Sequence, residues 1–158
     1  MFGALKKLRP DDRQTPRAAH LRLGERGEAA ALDYLKRNQG YEIVATNFRV
    51  PLGRALSGQK LTAEIDLIAY DRETLCFIEV KTRSSDEFAA PERAVDLRKQ
   101  RQIARAARRY RQLMNVAMEA YRYDVVTVIA GDNGDRLELL RGYFDDRVFR
   151  RSRFFQEQ

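Results

Sequence analysis

The segment from Ala63 to Arg83 constrains the fold more than any other part of the chain. It holds two apolar runs, AEIDLIAY and LCFIEVKTR, with only the turn-like DRET between them. A connection that short joins neighbouring antiparallel strands, so the two runs read as a hairpin. The two-residue period of a strand puts Leu75, Phe77, Glu79 and Lys81 on one face and Cys76, Ile78 and Val80 on the other. Glu79 and Lys81 therefore continue an apolar face. Asp66 likewise stands inside the partner run, between Ile65 and Leu67. Charges are rarely buried in strands without a reason. If the runs pair, Asp66 and Glu79 come near each other across the ladder. Two such carboxylates repel unless a proton or a cation lies between them. An all-oxygen pair suits a hard divalent cation such as Mg²⁺.

Around this hairpin the chain reads as one α/β domain. Residues 1–20 mix charge with Pro10 and Pro16 and read as a flexible basic arm. Residues 21–158 form the domain and its basic C-terminal tail. Ala31, Leu32 and Leu35 recur at helical spacing and Gly40 supplies a stop, so LGERGEAAALDYLKRNQG is a helix. YEIVATNFRV is a strand, and PLGRALSGQKLT, with two glycines and a proline, reads as a long loop. After the hairpin, Pro91 opens a second helix that runs to about Met118, with Ile103, Ala106, Ala107, Tyr110 and Leu113 on its apolar face. YRYDVVTVIA is a strand, GDNGD a turn, and RLELLRGYF a further strand. The order is helix, three strands, helix, then one or two strands. A mixed central sheet flanked by helices follows.

Composition narrows the chemistry. The single histidine, His20, and the single cysteine, Cys76, exclude metal sites and general-base schemes that need several of either. Cys76 lies in an apolar run and reads as a buried core thiol. Any metal chemistry must rest on carboxylates. The net charge of +7 favours a polyanionic partner. No apolar run approaches a membrane span, and the N-terminus lacks a signal peptide's apolar middle, so a cytoplasmic protein without membrane attachment is expected.

Glu28 joins the carboxylate argument. It shares a helical face with Leu32 and Leu35, beside the stripe that packs on the sheet. Each acidic residue also has a plain structural reading. Glu28 can complement a helix dipole, and Asp66 or Glu79 can be half of an ion pair with Lys81 as its mate. The second helix carries Arg98, Lys99, Arg101, Arg105, Arg108 and Arg109 with no acidic residue from Arg98 to Arg111. A solvated face is the plain reading and a track for phosphates the sharper one. Arg54 and Lys60 in the loop, and Arg150, Arg151 and Arg153 in the tail, can add to it, while Phe154 and Phe155 can stack on bases or dock on the core.

Taken together, Gly24 to Glu28, EIDLIA, FIEVKTR, a basic helix around Lys99 and RYDVV resemble the YraN family of bacterial proteins, over about residues 21–130. The resemblance implies the PD-(D/E)xK, restriction-endonuclease-like fold and a kinship with archaeal Holliday-junction resolvases. It implies that Asp66 and Glu79 hold Mg²⁺ or Mn²⁺ with the Val80 carbonyl, that Lys81 acts on the attacking water or the developing charge, and that Glu28 matches the resolvases' helical glutamate. The superfamily's proline is absent, since Ile65 precedes Asp66, and Ala63 stands where many relatives have glycine. The resemblance also implies DNA as partner, branched or junction DNA among its forms, and a homodimer by analogy. Beside a nuclease stand two other readings: a nucleic-acid-binding module of the same fold that cuts little or nothing, and a basic scaffold for a protein partner. Steep salt dependence of binding separates the first two from the third.

Overall fold

The computed structural model describes residues 15–84 and 94–150. In chain order these form α1 (Pro16–Arg37), β1 (Glu42–Arg54), β2 (Lys60–Asp71), β3 (Thr74–Ser84), α2 (Leu97–Leu113), β4 (Tyr121–Ala130), β5 (Arg136–Phe144) and a short 3₁₀ turn, Asp146–Phe149. The five strands make one sheet in sequence order, with β3 and β4 parallel and every other pair antiparallel. The parallel step requires a crossover, and α2 supplies it. The chain is thus α/β with a mixed sheet, as the pattern of elements predicts.

One helix covers each face. Ala31 and Leu35 of α1 pack with Cys76, Ile78, Val80, Val126 and Val128. Ile103, Ala106, Ala107 and Tyr110 of α2 pack with Ile65, Leu75, Phe77 and Val125. The alternation predicted along β3 is therefore the one that divides the two cores. Cys76 is fully buried, and burial pushes its thiol up to about 12.

Three expectations are corrected. First, α1 begins at Pro16, because Thr15 caps it by accepting the Ala18 N–H at 3.2 Å. Residues 16–20 are helix, not arm, while residues 1–14 lie outside the described residues. Second, Pro51 to Thr62 is not a long loop. β1 and β2 stay paired out to Arg54 and Lys60, closed by the Ala55 N–H to Gln59 carbonyl bond of 2.9 Å. β1 is an edge strand, where Pro51 costs no interior ladder bond, and the register shift at Gly53 is taken up by its left-handed backbone (φ 107°). Third, α2 runs from Leu97 to Leu113, not from Pro91 to Met118. Asp96 sets its start by accepting the Lys99 N–H at 2.8 Å, and Leu113 is exposed rather than on the apolar face. Pro91, Arg151, Arg153, Phe154 and Phe155 lie outside the described residues.

Candidate metal centre

The site forms where β2 and β3 part. Their ladder runs from Asp71↔Thr74 only as far as Leu67↔Ile78. One residue further, Asp66 turns its carboxylate into the gap, and Oδ2 accepts the Val80 N–H at 2.7 Å. A side chain thus takes the place of the next ladder bond. Beyond this point β3 pairs only with β4, and β2 only with β1. The opening lets both helices reach the same carboxylates from opposite faces.

From the α2 side, Lys99 places Nζ 3.1 Å from Glu79 Oε1. Glu79 is 9% exposed, and its other oxygen, Oε2, is buried without a hydrogen-bond partner. Burial first, and then the neighbouring Asp66, raise the Glu79 carboxyl to about 8 against the pull of Lys99. Asp66 is raised as well, mainly by burial, with the Val80 N–H opposing.

From the α1 side comes Glu28, raised by burial and then by Asp66 and Glu64. With its amide turned so that the NH₂ donates, Asn47 reaches both Glu28 and Glu64 at 3.2 Å. Asn47 has a left-handed backbone (φ 50°), a conformation asparagine tolerates better than most residues, and stands opposite Asp66 between the Thr46↔Leu67 and Phe48↔Ile65 pairs. Glu64 is held in turn by Arg49 at 2.9 Å. Glu28 lies three turns into α1, so it does not complement the helix dipole. Its position is set by Gly27, which packs so tightly on β3 that a Cβ there would lie 1.7 Å from Thr82 Oγ1. Gly24, the glycine of the sequence motif, has nothing within 4 Å of such a Cβ.

Lys81 shares the Glu79 side of β3 but is exposed, and Lys99 is Glu79's partner instead. Lys99 was predicted as a phosphate contact; it belongs to the carboxylate cluster. Of the other basic residues, Arg101 donates to the Val148 carbonyl at 2.8 Å, and Arg108 lies over the Phe149 ring, 5.1 Å from its centroid. Both brace the 3₁₀ turn. Arg54 steadies the β1–β2 turn through the Gly58 carbonyl at 2.9 Å. Arg98, Arg105, Arg109 and Lys60 are exposed. Asn47 and Glu64 were missed from sequence. A polar Asn between Thr46 and Phe48 in an otherwise strand-like run was the available signal.

Among the described residues no three His, Cys, Asp or Glu side chains gather to hold a metal ion. One buried carboxylate with an orphaned oxygen beside a half-buried one nonetheless fits an ion that keeps several waters, as Mg²⁺ does. No helix among the described residues is long and apolar enough to cross a membrane.

A model of the uncharacterised protein family UPF0102 matches residues 27–128, which hold Glu28, Asp66, Glu79, Lys81 and Lys99. A UPF0102 protein of Solibacter usitatus is 41% identical over 144 residues, 91% of this chain and 100% of that one. One from Desulfosudis oleivorans is 41% identical over 122 residues, 77% of this chain and 89% of that protein. The crystal structure of SSO0001 aligns at a TM-score of 0.37 and 18% identity, over 82% of this chain and 55% of that one, too slight a likeness to carry an argument. By family and by relatives alike, the chain belongs to UPF0102, the YraN family whose motifs it carries.

Proposed function

We propose that this protein is a metal-dependent nuclease acting on DNA, with branched or junction DNA as its preferred form. The observation that carries the reading is buried Glu79 beside half-buried Asp66 at the parting of β2 and β3, with Glu79 Oε2 unsatisfied. Such a pair is costly to the fold and is suited to a cation. Asp66, Glu79 and the Val80 carbonyl would hold Mg²⁺ or Mn²⁺. When bound, the ion supplies Lewis acidity toward a phosphodiester and lowers the pKa of water in the site. Asp66 is already oriented by the Val80 N–H. Glu79, raised to about 8, would release its proton to solvent on taking the ion. Lys81, exposed on the same side, stabilises charge developing on the phosphate oxygens. Glu28 and Asn47 bound the far side and orient water there. Arg98, Arg105 and Arg109 face solvent along α2 and supply cations for the nucleic-acid backbone.

A binding module that cuts little or nothing is the second reading. Lys99 supports it, because an internal ammonium already offsets the Glu79 charge without a metal.

The test is an assay in Mg²⁺ and Mn²⁺ with single-stranded, duplex, flapped and four-way-junction DNA. Wild type is expected to cleave, and an Asp66→Asn, Lys81→Ala double variant to bind with a salt slope lowered by no more than about one but not cleave. Salt-sensitive binding without cleavage by wild type selects the binding module. No salt-sensitive binding at all removes both nucleic-acid readings.

A further inference from the structure

The β1–β2 hairpin does more than connect its strands. Beyond Asp66, β2 has lost β3 as a neighbour, and the two strands continue as a ribbon paired only with each other as far as Arg54 and Lys60. Six residues of strand from Asp66 to Lys60 carry the ribbon about 20 Å past the carboxylate site. Its base is anchored: Val50 and Ala63 are buried in the core beneath α2, with Leu52 packed against it. Its outer part is exposed on both faces, as Gly53, Arg54, Lys60, Leu61 and Thr62 all are.

The tip is unusual for a solvated turn. Leu56 is fully exposed, at 111% of its reference area, and Leu61 is 40% exposed. Arg54 and Lys60 flank Leu56, and no acidic residue occurs from Pro51 to Ala63. Arg54 uses one donor on the Gly58 carbonyl, which holds the turn in shape and leaves the rest of the guanidinium free to bond outward. An exposed apolar tip at the end of a braced, cationic ribbon matches the requirements for entering a nucleic-acid groove. Two-stranded ribbons dock in either groove, and an apolar side chain inserted from the minor groove is the usual wedge between base steps, where phosphates on either side meet the flanking cations.

We propose that the β1–β2 hairpin is a wedge, with Leu56 entering between unstacked bases of DNA while Arg54 and Lys60 hold the adjoining phosphates. The proposal rests on the nucleic-acid reading of the carboxylate site and adds how the substrate's shape is selected. Inserting Leu56 costs least where stacking is already broken, so the ribbon favours branch points and flaps over intact duplex.

The experiment compares wild type, Leu56→Ser, and Arg54→Gln with Lys60→Gln. Binding to a four-way junction, a flap and an intact duplex is measured over a salt series, with 2-aminopurine at the branch point reporting unstacking. Leu56 is solvent-exposed, so its replacement leaves the fold intact, which circular dichroism verifies. Wild type is expected to raise 2-aminopurine fluorescence on binding the junction. Leu56→Ser should abolish that rise and reduce the junction-over-duplex preference by about tenfold, the scale of one base step. The Arg54, Lys60 double variant should weaken binding and lower the salt slope by about two. Wild-type binding with an unchanged preference and unchanged fluorescence in Leu56→Ser overturns the wedge and leaves the nuclease reading standing. Wild type that binds none of the three DNAs overturns both.

Discussion

Replacing Gly27 with alanine should destabilise the protein by about 3 kcal/mol, the upper part of the range for overpacking a core, and lower the melting midpoint by roughly 6–12 °C. The new methyl would stand 1.7 Å from Thr82 Oγ1 and 2.8 Å from both Thr82 Cβ and Cγ2. Rotating the threonine relieves the oxygen but not Cβ. The strand cannot retreat, because Thr82 is locked in the parallel ladder opposite Val128. The helix must lift instead, taking Leu35 and Ala31 out of contact with Val126 and Val128. Glu28, the next residue, moves with it, away from Asp66. Thermal unfolding checks the first effect. A Thr82→Gly replacement in the Gly27→Ala background checks the cause, since it removes every clashing atom and should recover about 2 kcal/mol relative to additivity. A Gly27→Ala protein as stable as wild type would mean that α1 is not held against β3 at this point.

Between pH 5 and 8.5 stability should fall, and Glu79 should be the main reason. In the unfolded chain its carboxyl titrates near the ordinary 4.5; in the folded protein burial and Asp66 raise it to about 8. Across that window the folded state holds a proton that the unfolded state has lost. Stability therefore declines as pH rises, at up to about 1.4 kcal/mol per unit, and the penalty is complete above the folded value. Asp66 and Glu28 are shifted the same way and add to the slope. The melting midpoint should drop by roughly 8–16 °C over the range. Glu79→Gln fixes the protonated form, so most of the slope should disappear and the variant should be the more stable protein at pH 8.5. An equal slope in both proteins would place the titration elsewhere.

What was legible from sequence followed local periodicity. The alternation along β3 separates the two cores, and the short DRET turn does join β2 to β3 as an antiparallel pair. The boundaries were harder, because caps decide them. Thr15 and Asp96 each outweigh the prolines and apolar residues nearby, since a side-chain oxygen satisfies an otherwise unbonded helical N–H. The β1–β2 hairpin was read as a loop because its glycines and proline are loop residues. In a solvated edge ribbon the same residues mark a bulge and a turn. In the site, Asp66 and Glu79 were visible as charges out of place in apolar strands. Lys99 was not, because on a basic helix face nothing local distinguishes the cation that reaches Glu79. Asn47 and Gly27 were overlooked for a related reason. Their importance depends on which residues lie across from them, on β2 and on β3, and that is set by tertiary packing.

The account stands on Asp66 and Glu79 taking a divalent cation, with Glu79, raised to about 8, ionising as it binds. Calorimetric titration of Mn²⁺ into the protein at pH 7, repeated in two buffers of different ionisation enthalpy, tests this without reference to any substrate. One site is expected, with about one proton released per ion, and with binding lost in both Asp66→Asn and Glu79→Gln. Absence of binding, or binding that persists unchanged in both variants, would contradict a metal centre at this place in the fold.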